Sequence, residues 1–315
     1  MTKMDISRGT TNVQLPVDVM QEIWAKTLEE SAIMSLARHI AIPGPGVKVQ
    51  TITGEPQADW VEETNPKPVG FHTFGAKTIT PYKLAVIEPF SNEFRRDASA
   101  LYAECINRLP YALASKFDYT VFHSTAPGSG FDVLSGCSKV SLIPGQNETV
   151  YDKFLAADAA IAAADGIMNG IALAPQGKSI VLGAVDGVGH PLFTPGVGSN
   201  TVGNILGAPV YVRKSAYKAG SAAVGTSGQS GYVAAVPAVV GCAGDWTDAV
   251  VGTVEGVQLS VSDQATLSYT DSNSQTVTLN LWQRNMFAVR VEIEVGFAVK
   301  SASEFVLLTG ATPSA

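Results

Sequence analysis

The sequence predicts an α+β fold, and three stretches carry that expectation. Over 92–124, Phe94, Ala98, Leu101, Cys105, Leu109, Leu113, Phe117 and Val121 recur at helical spacing. Over 286–299, Phe287, Val289, Val291, Ile293, Val295, Phe297 and Val299 alternate strictly, with Arg290, Glu292 and Glu294 between them, as in a strand with one buried face. Between them in kind lies 43–81, a Pro- and Gly-punctuated, two-stranded excursion. The chain has 315 residues, enough for about two domains. Its hydrophobic fraction of 46% is too high for a disordered chain. Charged residues make up only 16%, which fits either a large uncharged core or a surface hidden against copies of itself. The formal net charge of −7 argues against a protein that holds nucleic acid by a general basic field.

Residues 1–14 read as a polar arm and not as a signal peptide. Leu15-Pro16-Val17 opens a helical pattern, because Pro16 lacks only an N–H that the first turn leaves unpaired anyway. Ser31 is placed to cap a second short helix ending near Arg38. Pro43-Gly44-Pro45-Gly46 then breaks any helix, and Val47, Val49, Thr51 and Thr53 alternate as in a half-buried strand. A Pro-rich turn follows Trp60-Val61-Glu62-Glu63, and the chain returns through Phe71, Thr73 and 77–80. A lone two-stranded hairpin is marginal in water, so this segment is expected to lean on something, such as another subunit.

The 92–124 helix is expected to be capped by Ser91 or Asn92 and kinked at Pro110, and to run about 50 Å. Its Arg95, Arg96, Arg108 and Lys116 are matched by Glu93, Asp97, Glu104 and Asp118, which reads as a solvated amphipathic helix. A second helix over 151–165 has Thr149 as N-cap with Asp152 three residues on, and is expected to end at Gly166. Strands are expected at 179–182, 210–213, 265–270 and 275–282, the last two flanking a turn at 271–274.

The motifs of catalysis fail one by one. Gly177-Lys178-Ser179 ends like a phosphate-binding loop, but position 172 is Ala172 and a strand is expected where a helix should begin. Gly187-Val188-Gly189 starts a dinucleotide fingerprint whose third glycine is replaced by Leu192. His39, His72, His123 and His190 are dispersed, without metal-ligand spacing. Cys105, Cys137 and Cys242 form no CxxC, and an odd count is a poor disulfide framework, so a reducing setting is expected. No apolar run of ~18 residues is free of breaks, so no membrane partner is expected. No cofactor and no enzyme activity are expected. The chain reads as an assembly or binding protein.

The order of the pieces then matters. A polar arm precedes a helix containing Glu30-Ser31-Ala32-Ile33. A hairpin carries Ala58-Asp59-Trp60-Val61-Glu62-Glu63 and returns through Phe74 and Lys83-Leu84-Ala85 to Ser91-Asn92-Glu93-Phe94-Arg95-Arg96-Asp97 and the long helix. Later come Asn204-Ile205-Leu206-Gly207-Ala208-Pro209-Val210 and Gly244-Asp245-Trp246. Asn285-Met286-Phe287-Ala288-Val289-Arg290, Gly296-Phe297-Ala298-Val299 and Phe305 stand near the end. Over roughly 15–310 this series resembles the major capsid proteins of tailed bacteriophages, the Hong Kong 97-type capsid fold. The resemblance implies an N-terminal arm (1–14), short helices (15–42) and an extended loop, or E-loop (43–81). It implies a peripheral domain (82–130 and 250–299) with a spine helix at 92–124, and an axial domain (131–249 and 300–315).

It also implies the function: pentamers and hexamers that close into an icosahedral shell around double-stranded DNA. The chain would then be assembled in the host cytoplasm and reside in the virion. An encapsulin, the shell of a bacterial nanocompartment, is the alternative of similar fold, and an unrelated α/β enzyme is a third reading. In the capsid family the extended loop lies over a neighbouring subunit, which makes Trp60, Glu62, Glu63, Phe71, Phe74, Lys77, Arg95 and Arg96 candidate interface residues. Some relatives begin with a long scaffolding segment. Met1 lies about 15 residues before the first shared helix, so a separate scaffolding protein is expected. A portal protein at one vertex and weak, non-specific contact with packaged DNA follow from the family, and a decoration protein is left open. Some relatives form a self-catalysed Lys–Asn isopeptide bond promoted by a glutamate. Asn285 and Glu292 fall where that Asn and Glu would be, on opposite faces of the alternating pattern unless a bend intervenes. The lysine position holds Ala76, with Lys77 next to it, and one residue along a strand reverses the face. Noncovalent assembly is therefore expected.

Overall fold

The structure, a computed structural model, describes residues 31–54, 56–63, 65–97, 99–185, 189–190, 192–193, 203–224, 232–270 and 274–313. The expected arm and first helix, the glycine run 225–231 and the turn residues 271–273 lie outside the described residues, as do positions 187 and 188 of the dinucleotide-like glycine run.

The described chain is a mixed α+β fold of few helices and many strands. It opens with α1 (Ala32–Leu36), whose N-cap Ser31 accepts a hydrogen bond from the Met34 amide, as expected. The helix stops at Leu36, two residues early, because β1 (Arg38–Ala41) begins there and pairs in parallel with β10 (Ala249–Thr253). After β1 come β2 (Val47–Gly54) and β3 (Thr73–Ile79), an antiparallel pair on its own. β4 (Tyr82–Ser91) runs directly into α2 (Asn92–Asp97), followed by α3 (Ser99–His123). Helix covers 92–97 and 99–123 of the expected 92–124, and residue 98 between them lies outside the described residues. Ser91 is not a free cap, because it closes β4. At 25 residues α3 spans about 38 Å, with Pro110 inside it.

Two main sheets follow from the strand pairings. One has the order β1-β10-β14-β11, with β4 also paired to β14 (Met286–Val299). β14 is the spine of this sheet. β4 pairs along one edge from Met286 to Val295, while the other edge takes β10 and then β11 (Gln258–Ser262). Its odd-numbered residues, read from the sequence as one face, all enter the largest apolar cluster, against Leu109, Leu113, Phe117 and Val121 of α3. That face is what makes a long helix and a long strand stable together.

The second sheet has the order β5-β15-β9-β6-β8-β7. It comprises β5 (Ser138–Ser141), β6 (Gly170–Leu173), β7 (Asn204–Ile205), β8 (Ala208–Val212), β9 (Val239–Gly244) and β15 (Phe305–Thr309). α4 (Val150–Ala162) covers it through Phe154, Ala157 and Ile161. The Thr149–Asp152 capping box is present in both directions. The helix ends at Ala162, and the left-handed backbone falls on Asp165 (φ 62°), ahead of the expected Gly166. The expected strand at 179–182 is wrong. Those residues close α5 (Pro175–Leu182), which Pro175 starts in its first turn. A four-residue apolar run does not distinguish strand from helix, and here the strand is β6, just upstream. Helix follows strand with no intervening phosphate-cradling loop, so Gly177-Lys178-Ser179 is helix interior. A further pair, β12 (Thr266–Thr270) and β13 (Thr276–Asn280), sits where expected.

The two sheets meet at Asp245-Trp246. β9 ends at Gly244 in one sheet and β10 begins at Ala249 in the other. Trp246 is buried, donates its indole N–H to the Gly170 carbonyl at 2.9 Å, and lies edge-on to Phe305 and Phe122. Gly244 is needed there, since a Cβ would come within 2.3 Å of the Phe305 ring.

Candidate assembly surface

The β2–β3 arm is held firmly at its foot. Gly46, with φ 89°, turns the chain and donates its N–H to Pro43. Ile79 is buried with Ile42, Val250 and Ala298. The Lys77 ammonium lies 2.7 Å from Asp132 Oδ2 and also donates to the Val299 carbonyl. Asp132 in turn accepts from the Val299 amide at 2.9 Å, and its own amide donates to Phe297. These bonds join the arm to the C-terminal end of β14.

The outer part of the arm has no such support. Every described residue from 56 to 74 is exposed. Trp60 is 103% exposed, Phe71 78% and Phe74 70%, with Val69 beside them. Glu62 and Glu63 are exposed on the same segment, and Asn65 N–H bonds back to the Glu62 carbonyl. Three large aromatic rings in water are an unusual surface for a soluble chain. Burying them on a partner offers ~2–3 kcal/mol each, or ~6–9 kcal/mol gross. Fixing one body on another costs ~4–15 kcal/mol, so a single arm contact is weak and many arms in a closed array are needed.

The remaining sequence-derived residues lie elsewhere. The Arg95 guanidinium sits 5.1 Å from the Phe287 ring centroid, while Arg96 is exposed on α2. Asn285 precedes β14 with a left-handed backbone (φ 56°), and its carbonyl and side-chain oxygens accept from Asn92. That bend takes Asn285 out of the strand's alternation. Glu292 lies within β14, opposite Ala85 and Gln258, with Arg290 Nε at 3.4 Å. Seven residues of extended chain separate Asn285 from Glu292 by roughly 20 Å within one subunit. Lys77 is engaged by Asp132 at the arm's foot, away from both. The structure therefore gathers Trp60, Glu62, Glu63, Phe71 and Phe74 on one projecting segment, and Arg95, Arg96 and Asn285 around the β4–α2 turn.

Sequence reasoning missed the junction under α3. Asp118, counted above as a surface charge, is fully buried. Its carboxylate accepts from Ser31 Oγ at 2.5 Å, from the Ala32 amide at 2.9 Å and from Ser215 Oγ at 3.0 Å. Three distant segments meet at this one group. Burial pushes its pKa up to about 6, against those hydrogen bonds, which favour the charged form. The helical spacing held the signal, because Asp118 falls one turn from Ala114 and Phe122, both on the buried side. Nearby, burial and then the Lys218 charge lower the His123 pKa to about 4. Among the described residues, no group of three or more His, Cys, Asp or Glu is placed to hold a metal, and no helix is long and apolar enough to cross a membrane. The three cysteines are free thiols.

Against known proteins, the chain matches the phage capsid family over residues 11–310. It is 29% identical over 302 residues to the probable major capsid protein gp17 of Mycobacterium phage L5, covering 92% of this chain and 87% of that one. It is 31% identical over 265 residues to the capsid polyprotein of Pseudomonas phage PAJU2, covering 80% of this chain and 37% of the longer polyprotein. A chain in a solved structure of Mycobacterium phage Adephagia superposes with a TM-score of 0.68 at 17% identity, over 90% of this chain and 91% of that one. These are phage capsid relatives and not encapsulins. The match runs nearly end to end and agrees with a fold that leaves an aromatic arm uncovered: the chain belongs to the phage capsid family, and its function is that of a phage major capsid protein.

Proposed function

We propose that the shell forms by arm exchange: the 56–74 segment of each copy lies on a neighbouring copy, within pentamers and hexamers that tile an icosahedron around double-stranded DNA. In this reading β2–β3 and its outer segment are the extended loop. The five-stranded sheet with α3 is the peripheral domain, and the six-stranded sheet with α4 and α5 is the axial domain. The observation that carries it is the full exposure of Trp60, Phe71 and Phe74 on an arm whose foot is clamped by Lys77, Asp132 and Ile79. Many weak, repeated contacts then sum by closure.

The assembly is noncovalent. Lys77, the lysine nearest the crosslinking position, spends its ammonium on Asp132 and the Val299 carbonyl of its own chain. A separate scaffolding protein during assembly, a portal at one vertex, weak contact with the genome and final residence in the virion belong to the same reading. They rest on the family alone.

Sedimentation velocity of the purified chain, with electron microscopy of the fast fraction, tests it. Discrete pentamers and hexamers or megadalton shells are expected, with a single monomer band on a denaturing gel. A compact monomer that never assembles, even with a scaffold supplied, would overturn the arm-exchange reading. A ladder of covalent oligomers would overturn the noncovalent one.

A further inference from the structure

β14 ends at the arm's foot and begins at a second projection. β13 closes at Asn280, and a single 3-10 turn, Trp282–Arg284, carries the chain into β14. Leu281 before the turn and Met286 after it are buried with Leu279 and Ala288. The four residues between them, 282–285, are all exposed. Backbone bonds fix the turn all the same. The Arg284 and Met286 amides donate to the Leu281 carbonyl at 3.2 and 2.9 Å, the Asn285 amide donates to the Trp282 carbonyl at 3.3 Å, and the Gln283 amide donates to Asn280 Oδ1 at 3.1 Å. Trp282 is 74% exposed, more than any other large apolar side chain off the arm among the described residues. Arg284 is the only charged residue from 272 to 289, and its guanidinium has no ion pair among the described residues. Tryptophan and arginine concentrate binding energy at interfaces, and a fixed turn presents them at little ordering cost.

The outer arm offers the complement. From 56 to 74 it carries Asp59, Glu62 and Glu63 against Lys67 alone, all of them exposed. Trp60 stands two residues before Glu62, as Trp282 stands two before Arg284, so each side holds an indole with a charge of opposite sign beside it. The two features are also far apart in one subunit. The foot of the arm is bonded to Val299 and the turn adjoins Met286, at the two ends of the 14-residue β14, about 40 Å apart. A projection and a seat at opposite ends of one element make a head-to-tail contact, which repeats from copy to copy and closes into rings. Resting on the arm-exchange reading, we propose that the 282–285 turn is the seat on which a neighbouring copy's arm lands, with Trp60 packed on Trp282 and with Glu62 and Glu63 facing Arg284. The indoles supply buried area, and the charges select this end of the neighbour over its acidic surfaces. Arg95, held over the Phe287 ring, is not part of the seat.

The test is a charge swap in the full chain, read by sedimentation velocity and by electron microscopy of the fast fraction. Arg284→Glu, and separately Glu62→Lys with Glu63→Lys, bring like charges together, and each is expected to cut the assembled material by about tenfold or more. The first makes the chain more negative and the second less so, which means that a loss in both is not an effect of net charge. Combining all three substitutions restores opposite charges and is expected to return assembly to within about threefold of wild type. Trp282→Ala is expected to weaken assembly as well. Denaturant midpoints of every variant should stay at the wild-type value, as for exposed positions generally, so that the losses are losses of assembly. Assembly left intact by Arg284→Glu or by Trp282→Ala, or a combined swap that rescues nothing, would overturn the seat and leave arm exchange standing. Wild type that forms no oligomer, even with a scaffold supplied, would overturn arm exchange and the seat with it.

Discussion

The β2–β3 arm and the six-stranded sheet use the same hydrogen-bonding pattern to opposite ends. In the sheet, β6, β9 and β15 are buried along their whole length, and α4 seals the apolar cluster that includes Ile171, Leu173, Val306 and Leu308. In the arm, seven registered residue pairs join the strands, yet the segment beyond them keeps its aromatic rings in water. Backbone pairing alone contributes little net stability to two strands without a covered face. One region is complete within a subunit; in the arm-exchange proposal the other is completed by a neighbouring copy. Substitutions should therefore divide cleanly into those that unfold the chain and those that only prevent assembly.

The largest effect is expected where the two sheets meet. Trp246→Ala should cost ~3–5 kcal/mol in denaturant unfolding, because it opens a cavity against Phe122 and Phe305 and leaves the Gly170 carbonyl without its donor. A loss below ~1 kcal/mol would mean that the sheets are not mutually dependent.

The next effect is pH-dependent. The folded pKa of Asp118 is raised from 3.8 to about 6, so the stability it contributes is present at acid pH and is lost as pH rises through about 6. Asp118→Asn removes that linkage, and its stability relative to wild type should worsen by ~2–3 kcal/mol between pH 7 and pH 4. His123 has the opposite sign. Its folded pKa is lowered from 6.5 to about 4, so its contribution is lost as pH falls through that window. His123→Gln should therefore gain stability relative to wild type on acidification. Parallel pH curves for both variants and wild type would contradict the buried assignments.

The smallest effect is expected at the arm's foot. Lys77→Met removes a part-exposed ion pair with Asp132, and its cost to folding should stay within ~1 kcal/mol. Hydrogen exchange at 47–54 and 73–79 should nevertheless accelerate, because the arm loses its tie to β14. Unchanged exchange would show that apolar packing around Ile79 holds the foot unaided.

Long, periodic elements were legible in the sequence because they carry one covered face each. β14 appears with its predicted bounds and its odd-numbered face in the core, and the Thr149 capping box forms as expected. The arm was legible as a two-stranded excursion, because Pro43-Gly44-Pro45-Gly46 breaks the chain before it and Val47, Val49, Thr51 and Thr53 alternate. What escaped were elements buried on both sides. β9 reads Val-Val-Gly-Cys-Ala-Gly, with no alternation to betray it, and it is not among the strands expected from sequence. The 175–182 helix was misread because its apolar run is shorter than either period can resolve. Long-range electrostatics were not legible at all. Asp132 lies 55 residues from Lys77, and Ser215 lies 97 from Asp118, so neither pairing leaves a local trace.

The most direct test of the central claim is a triple variant, Trp60→Ala with Phe71→Ala and Phe74→Ala, measured by denaturant unfolding and by sedimentation velocity side by side. The account predicts unfolding free energy within ~0.5 kcal/mol of wild type, as for exposed positions generally, together with loss of shells in favour of slow-sedimenting species. Normal shell yield, or a chain that unfolds before it fails to assemble, would contradict it.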